Sequence, residues 1–554
     1  MQGPRVGNGV GVGRRVTASC QNAFVARCSG ILSPRWRRVL ALWLALLLAV
    51  ALTGCGTLPP VGPKPASVAQ MPKDDGDLSL TAKASTPPGG ELSGFRLLPL
   101  GPYALEARLQ LAQRASHSLD VQYYVIEDDA TGRLLLRTLR DAAARGVRVR
   151  LLLDDLYTVH TDAMLRALAD HPNIEVRLFN PFCCARGSSF GRFASSLGDL
   201  YRINHRMHNK LFIADGVMAV AGGRNVADPY FMLDQSSNFV DMDAFIMGAV
   251  IQQLQGIFDQ YWNSDVVYPV QSLVEPSVPR EQQPAEFERL SVVEHAPPEL
   301  PSVDALGYGP IGEELAAGRV GLIWAPARAF ADPPNKRDTM SPEEAREFSA
   351  SQQVRMKIWG AESDLVITSP YLIPGPMGIT AFQDLGQRKV KTVVLTNSLA
   401  ATDEPLVHTG YSRYRVRLLE SGVDLYEISP ERTRRTKRLG MFGSSFGRLH
   451  AKTAVVDGHT VFVGSMNLDP RSDTQNTELG IFIESPQLAK ELLRIINISK
   501  LQSAYRVRLD ARGNLEWLTM DDDNEVVLTS EPETSFWLRL HNMLISPFVP
   551  EQLL

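Results

Sequence analysis

The chain has 554 residues, 44% hydrophobic and 21% charged, the usage of a folded protein of two or three domains rather than a disordered or fibrous one. A formal net charge of −4 supplies no global basic field, which counts against a nucleic-acid binder. Five cysteines exclude a disulfide-stapled scaffold, and a lone apolar stretch near the N-terminus excludes a multi-span membrane protein.

That stretch, Val39 to Leu52, comes after Arg14, Arg15, Arg27, Arg35, Arg37 and Arg38. It is short for a bilayer span and fits a signal-peptide core. It ends in Leu52-Thr53-Gly54-Cys55, which resembles a bacterial lipobox. The resemblance implies a signal peptide over 1–54, lipidation of Cys55, and a place in the cell envelope facing the periplasm. Gly56 after the cysteine favours the outer membrane; a plain signal anchor is the alternative. Acyl chains on Cys55 would attach the protein to a membrane surface at ~0.8 kcal/mol per buried methylene. Adjacent Cys183 and Cys184 are poor partners for each other, so no disulfide is expected. Residues 55–100, with Pro59, Pro60, Pro63, Pro65, Pro87, Pro88, Gly89 and Gly90, read as a flexible tether.

Alternating patterns begin near 101. Tyr103 to Ala115 has helical periodicity, Ser118 to Tyr124 alternates like a strand, Arg133 to Arg145 is helical with Gly146 as its C-cap, and Val147 to Leu153 is a β-branched, apolar strand. The order recurs: a helix ending at Gln353 to Gly360, strands at Leu365 to Ser369 and Val390 to Leu395, a helix through Tyr411 to Glu420, and a strand at Val423 to Glu427. This predicts an α/β protein made of two lobes, 101–270 and 346–510, joined by a linker over 271–345 and ending in an extension over 511–554. The hexamer Gly-Ser-Ser-Phe-Gly-Arg occurs at 187–192 and 443–448 but at different distances from the motifs, which leaves coincidence open beside duplication.

His208-Asn209-Lys210 precedes Asp215, and His450-Ala451-Lys452 precedes Asp457; both are H-x-K-x-x-x-x-D. On a strand, positions two apart share a face, so each His and Lys would project together. One copy would be an ordinary strand with a buried His. Two copies change that reading, and so do the residues downstream of each. Gly222-Gly223-Arg224-Asn225 and then Asp241 come after the first copy; Gly464-Ser465-Met466-Asn467 and then Glu478 come after the second. Asn trails His by the same interval in both halves (225 − 208 and 467 − 450).

These motifs resemble those of the phospholipase D superfamily over about 101–500. The resemblance implies a duplicated α/β/α sandwich with mixed sheets and one active site shared at the lobe interface. The residue types suit phosphodiester chemistry. Two lysines and two asparagine-type donors can neutralise and orient the anion without a metal or other cofactor. One neutral imidazole can attack phosphorus while the other protonates the leaving alcohol and then deprotonates the incoming one. A carboxylate behind each ring would fix its tautomer, and Asp241 and Glu478 are the candidates. By resemblance His208 is the nucleophile and His450 the acid/base, while Asp215 and Asp457 hold local structure; the sequence itself does not order the two histidines. Ser465 stands where the first half has Gly223, placing a hydroxyl near the phosphate on one side only.

Gln122-Tyr123-Tyr124, Ser369 to Gly375, Thr396 to Ala400, His408, Tyr411, Tyr414 and Arg415 resemble the bacterial cardiolipin synthase branch, its C-type subgroup in particular. This implies transfer of a phosphatidyl group to the glycerol hydroxyl of phosphatidylglycerol, with phospholipids and the membrane surface as partners and no nucleic acid. A hydrolytic phospholipase D releasing phosphatidic acid is the alternative, and a nuclease the more distant one. The run Arg432, Arg434, Arg435, Lys437 and Arg438 is either a lipid-facing patch or a solvated loop. The apolar C-terminus (Phe536, Trp537, Leu540, Leu544, Ile545, Phe548, Leu553, Leu554) is expected to pack against the body, with contact to lipid as the alternative.

Overall fold

The computed structural model describes residues 57–551 apart from 295, 296, 298, 337–348, 437–444, 522 and 523. The signal-peptide and Cys55 readings, Lys437, Arg438, Leu553 and Leu554 lie outside the described residues.

Each half builds one large mixed sheet. In the first, nine strands lie in the order Ile323–Ala325, Ser93–Leu98, Asp243–Gly248, Met218–Gly222, Leu211–Ala214, Ser118–Tyr123, Arg148–Asp154, Ile174–Phe179, Val267–Pro269. Ser118–Tyr123, Arg148–Asp154 and Ile174–Phe179 run parallel, as helical crossovers between them require. The second sheet has ten strands and repeats this core: Asp364–Thr368, Lys391–Asn397 and Asp424–Ile428 are parallel, and Thr453–Val456 and Thr460–Gly464 pair antiparallel beside them.

Amphipathic helices cover the outer face of each sheet. Helix Ala130–Ala144 starts where Asp129 accepts from the Gly132 N–H at 2.9 Å, buries Leu135, Leu136, Leu139, Ala142 and Ala143, and gives way to Gly146 at φ +100°. The inner faces share one apolar core. Leu211, Ile213, Ala219 and Ile246 of the first sheet join Val455, Val461, Val463 and Ile481 of the second, together with helices Val250–Trp262 and Pro486–Gln502. The duplicated α/β/α sandwich is therefore a single packed body, with helices on the outer faces and, between the sheets, a common apolar layer to which helices Val250–Trp262 and Pro486–Gln502 belong. Among the described residues no helix is long and apolar enough to cross a membrane.

Three boundaries differ from the sequence reading. Residues 57–100 are not a free tether. The Lys64 ammonium donates to the Ser264 and Val267 carbonyls, Asp259 accepts from the Ala69 N–H, Asp77–Ser85 is helical, and Ser93–Leu98 is a buried strand of the first sheet. Proline removes backbone donors, and polar side chains of the lobe take up the groups that remain. Within the connecting segment 271–345, Ile323–Ala325 enters the first sheet and Ala327–Ala331 the second, so it stitches them together. The extension after 510 adds strands Leu515–Asp521 and Asn524–Leu528 to the second sheet. The helix expected through 411–420 is two, Pro405–Ser412 and Arg415–Glu420. Of the repeated hexamer, Phe-Gly-Arg is helical in one copy (within Ser189–Ser195) and strand in the other (within Phe446–Leu449), and residues 443 and 444 lie outside the described residues.

Asn397 ends its strand with its amide donating to the Leu449 carbonyl and accepting from the Leu449 N–H, both at 2.9 Å and buried. Asn397→Ala leaves both backbone groups unpaired next to His450. A destabilisation of about 1–3 kcal/mol in chemical denaturation is expected, together with lost activity.

Candidate active site

Two short pairings between the lobes build the site. Ser237–Val240 of the first half runs parallel to Phe446–Leu449 of the second, and the His450 N–H donates to the Val240 carbonyl at 2.8 Å. Across the interface Met207 bridges Thr477. The His208 N–H donates to the Thr477 carbonyl at 2.9 Å, and the Thr477 N–H to the Arg206 carbonyl at 2.8 Å. The residue after Val240 is Asp241 and the residue after Thr477 is Glu478. Each motif histidine therefore meets the carboxylate of the other half. His208 Nδ1 lies 2.9 Å from Glu478 Oε2, and His450 Nδ1 lies 2.6 Å from Asp241 Oδ2. All four side chains are buried. With Nδ1 taken, Nε2 of each ring is the free nitrogen.

The motif residues stand in extended chain just before strands Leu211–Ala214 and Thr453–Val456, rather than within a strand. Asp215 and Asp457 are remote from the histidines. Each opens an Asp-Gly hairpin turn at φ +51°. Asp215 accepts from the N–H groups of Ser116, His117 and Ser118, and Asp457 from those of Glu362, Ser363 and Asp364. Lys210 and Lys452 lie behind the rings, with Nζ donating to the carbonyl of the motif's own histidine at 2.6 and 2.5 Å. Asn225 donates to the Tyr230 hydroxyl. Asn225 Oδ1 and Asn467 Oδ1 are buried without a hydrogen-bond partner.

Ser465 does not face the anion position expected of it. Its hydroxyl donates to Glu478 Oε2 at 2.5 Å and accepts from the Leu479 N–H. It supports the carboxylate that orients His208. In the first half a Cβ on Gly223 would stand 2.2 Å from Asp241 Oδ1, so only glycine fits there. Arg224 holds Asp241 from behind by donating to its carbonyl at 2.6 Å.

The two imidazoles differ electrostatically. Burial, then the charges of Lys210, Lys452 and His450, push His208 well below the ordinary histidine range. Burial also raises its partner Glu478, to about 7. His450 is lowered by burial and Lys452 but supported by Asp241. Asp241 resists the upward push of burial and is held low by His450, Lys452 and Arg224. The first pair therefore favours a neutral ring, whereas the second keeps an ionised carboxylate against its ring. Lys210 is lowered by burial and Lys452 likewise, to about 8.

Both rings, Asn225 and Asn467 line one cavity of about 750 Å³. Its other walls include Tyr124 and Tyr371, from segments already noted in the sequence, and Tyr230, Asp403, Asp469 and Arg471, which the sequence did not single out. Tyr124 stands edge-on to His208, and Tyr230 edge-on to His450, each with centroids 5.0 Å apart. The Tyr371 hydroxyl donates to Asp403 Oδ2 at 2.9 Å. Asp469, raised to about 7 by burial, and Arg471, which reaches Asn204 of the first half, complete the wall. Tyr230, Asp469 and Arg471 stand within a few residues of the paired asparagines, a signal the sequence carries; Asp403 has none.

In the basic run, Arg432 donates to the Met520 carbonyl and Arg434 pairs with Glu431 and lies over Phe446. These cations are used within the protein.

Two lobes sharing one cavity, with a histidine from each, define a duplicated phospholipase D fold. The family described as "Cardiolipin synthase, PLD-like domain" matches residues 109–262 and 354–498, more than half the chain. Cardiolipin synthase C of Escherichia coli (strain K12) is 40% identical over 461 residues, 81% of this chain and 94% of that protein. A cardiolipin synthase of Geobacillus sp. (strain WCH70) is 25% identical over 75% of this chain and 68% of its own length. A phosphatidylserine synthase structure from Haemophilus influenzae Rd KW20 superposes with a TM-score of 0.53 at 12% identity, over 83% of this chain and 95% of that one. The chain belongs to the cardiolipin synthase branch of the phospholipase D superfamily.

Gly223→Ser copies the second half's residue into the first. The clash should displace Asp241 and lower kcat/KM by ~10²-fold in a folded protein. Ser465→Gly should cost less, since it removes the hydroxyl's two hydrogen bonds, to Glu478 and from the Leu479 N–H, without a clash that displaces Glu478. Equal losses in steady-state assays would contradict this asymmetry.

Proposed function

We infer that the chain is a phosphatidyltransferase of the cardiolipin synthase type, working through a covalent intermediate on His208. The observation that carries this reading is the crossed arrangement of two buried imidazoles lining one cavity, each held at Nδ1 by a carboxylate of the other lobe. Nε2 of neutral His208 attacks the phosphorus of a donor phospholipid. A P–N bond forms, the P–O bond to the headgroup alcohol breaks, and His450 gives its proton to that oxygen. The terminal hydroxyl of phosphatidylglycerol then enters, gives its proton to His450 and attacks phosphorus as the P–N bond breaks. The lysines supply fixed positive potential behind the rings, and the asparagine amides orient the phosphoryl oxygens.

Membrane association accords with the family. The finer proposal is a lipid anchor at Cys55 on the periplasmic side of the envelope, with Gly56 pointing to the outer membrane.

The acceptor decides between transfer and hydrolysis. Incubation of the full chain with phosphatidylglycerol vesicles should yield cardiolipin and glycerol, with His208→Ala and His450→Ala both folded and slower by orders of magnitude. Phosphatidic acid without cardiolipin would establish the hydrolytic alternative.

The pH profile derives from the site. Protonation blocks attack by His208, whose pKa is depressed, so kcat/KM should hold as pH falls past 6.5 and drop only below that. His450 must carry the proton that it gives, and burial lowers its pKa, so the alkaline limb should appear no later than about pH 8, where Lys452 also loses its charge. An acid limb at or above pH 6.5 would contradict the neutral-nucleophile assignment.

A further inference from the structure

The C-terminal helix Phe536–Ile545 is inverted. Asn542 is its buried residue, while Phe536 is 61% exposed, Trp537 74%, and Met543 and Leu544 are also exposed. Phe548, just beyond it, is 83% exposed. The expected packing of this apolar segment against the body is only partial: Leu538, Leu540 and Ile545 are half-buried and Val549 packs on the core, while the aromatic residues stay exposed. Polar contacts also seat it: the Arg413 guanidinium donates to the Ser546 and Val549 carbonyls, and the Tyr414 hydroxyl to Glu551. The body thus holds the helix in place with its aromatic side outward, an arrangement that water penalises.

Position and charge indicate the occupant of this face. The helix packs on Pro405–Ser412, whose exposed Leu406 also lines the catalytic cavity, as does Val407. The apolar side is therefore continuous with the cavity rim. Residues 536–549 contain no acid and carry Arg539. Neither Arg539 nor Arg413 is paired with a carboxylate among the described residues. The first lobe supplies a matching ridge. Phe190, Leu197 and Leu200 are exposed on a segment anchored by Arg186 and Arg192 to Asp155, two residues before Tyr157 of the cavity wall. The Phe190–Leu200 ridge comes after the carboxyl end of parallel strand Ile174–Phe179, and helix 536–545 packs on Pro405–Ser412, which comes after the carboxyl end of parallel strand Lys391–Asn397.

We propose that these two ridges are a bilayer-docking surface: the aromatic side of helix 536–545 and the Phe190–Leu200 ridge sit in an anionic phospholipid leaflet, so that the cavity opens directly onto lipid. Insertion places Trp537 and Phe548 at the interfacial level, with Arg413 and Arg539 near phosphate groups. The inference rests on the reading of phospholipids as substrates.

The test uses the full chain and has two readouts. On addition of phosphatidylglycerol vesicles, amide hydrogen exchange over 536–548 should slow; unchanged exchange overturns the docking surface whatever the activity. Phe536→Ser/Trp537→Ser/Leu544→Ser should lower transfer from vesicles at least tenfold while leaving transfer from monomeric dihexanoyl phosphatidylglycerol within twofold. Full activity of the variant on vesicles overturns the proposal, as does equal loss on both substrates, which would mark a structural role. A dimer in sedimentation whose dissociation exposes 536–548 would assign the face to a second copy of this chain and overturn it too. Absence of cardiolipin from both substrates with the unmodified protein, by contrast, would sink the functional reading, and the exchange result would still decide docking.

Discussion

The site depends on two short backbone pairings that cross the lobe interface. Val240 with Leu449, and Met207 with Thr477, each place a carboxylate one residue beyond the pairing and under the partner lobe's histidine. Strand geometry then does the positioning, because residues adjacent in register have few ways to differ in height or direction. Neither lobe holds a complete histidine–carboxylate pair. A separated lobe would retain its imidazole with Nδ1 unpaired, which explains why the interface is a continuous apolar core rather than a hinge.

The duplication is close in backbone and unequal in electrostatics. Glutamate with a serine partner on one side, and aspartate packed against a glycine and braced by Arg224 on the other, give the two rings different proton affinities. A double displacement needs that difference: one ring must be neutral to attack while the other carries a proton to deliver. The inequality comes from burial and from the groups behind the carboxylates, since the histidines and lysines are repeated in both halves.

Much of the site is legible in the sequence. The paired H-x-K-x-x-x-x-D motifs, the trailing asparagines and the two later acids name it, and the strand–helix alternation names the fold. The crossing of the carboxylates is not legible, because it depends on inter-lobe register that no local pattern encodes. Ser465 reads as an anion donor because its place in the motif says nothing of where Glu478 turns. Proline-rich 57–100 reads as a tether because composition reports backbone preference, not the side chains of Asp259 or Ser272 that capture it. The repeated Phe-Gly-Arg shows the same limit, since it is helical at 190–192 and strand at 446–448 in different surroundings. The C-terminal helix reads as an inside element from its apolar content alone; its seat, to which Arg413 and Tyr414 contribute by hydrogen bonding, turns its aromatic residues outward.

The division of labour between the rings is open to direct observation. The full chain is mixed with phosphatidylglycerol labelled in its phosphate, quenched within a turnover, digested under alkaline conditions and mapped by mass spectrometry. The label should be recovered as a phosphatidyl adduct on the peptide bearing His208, through Nε2. Recovery on the His450 peptide, or turnover with no covalent adduct on either, would contradict the account.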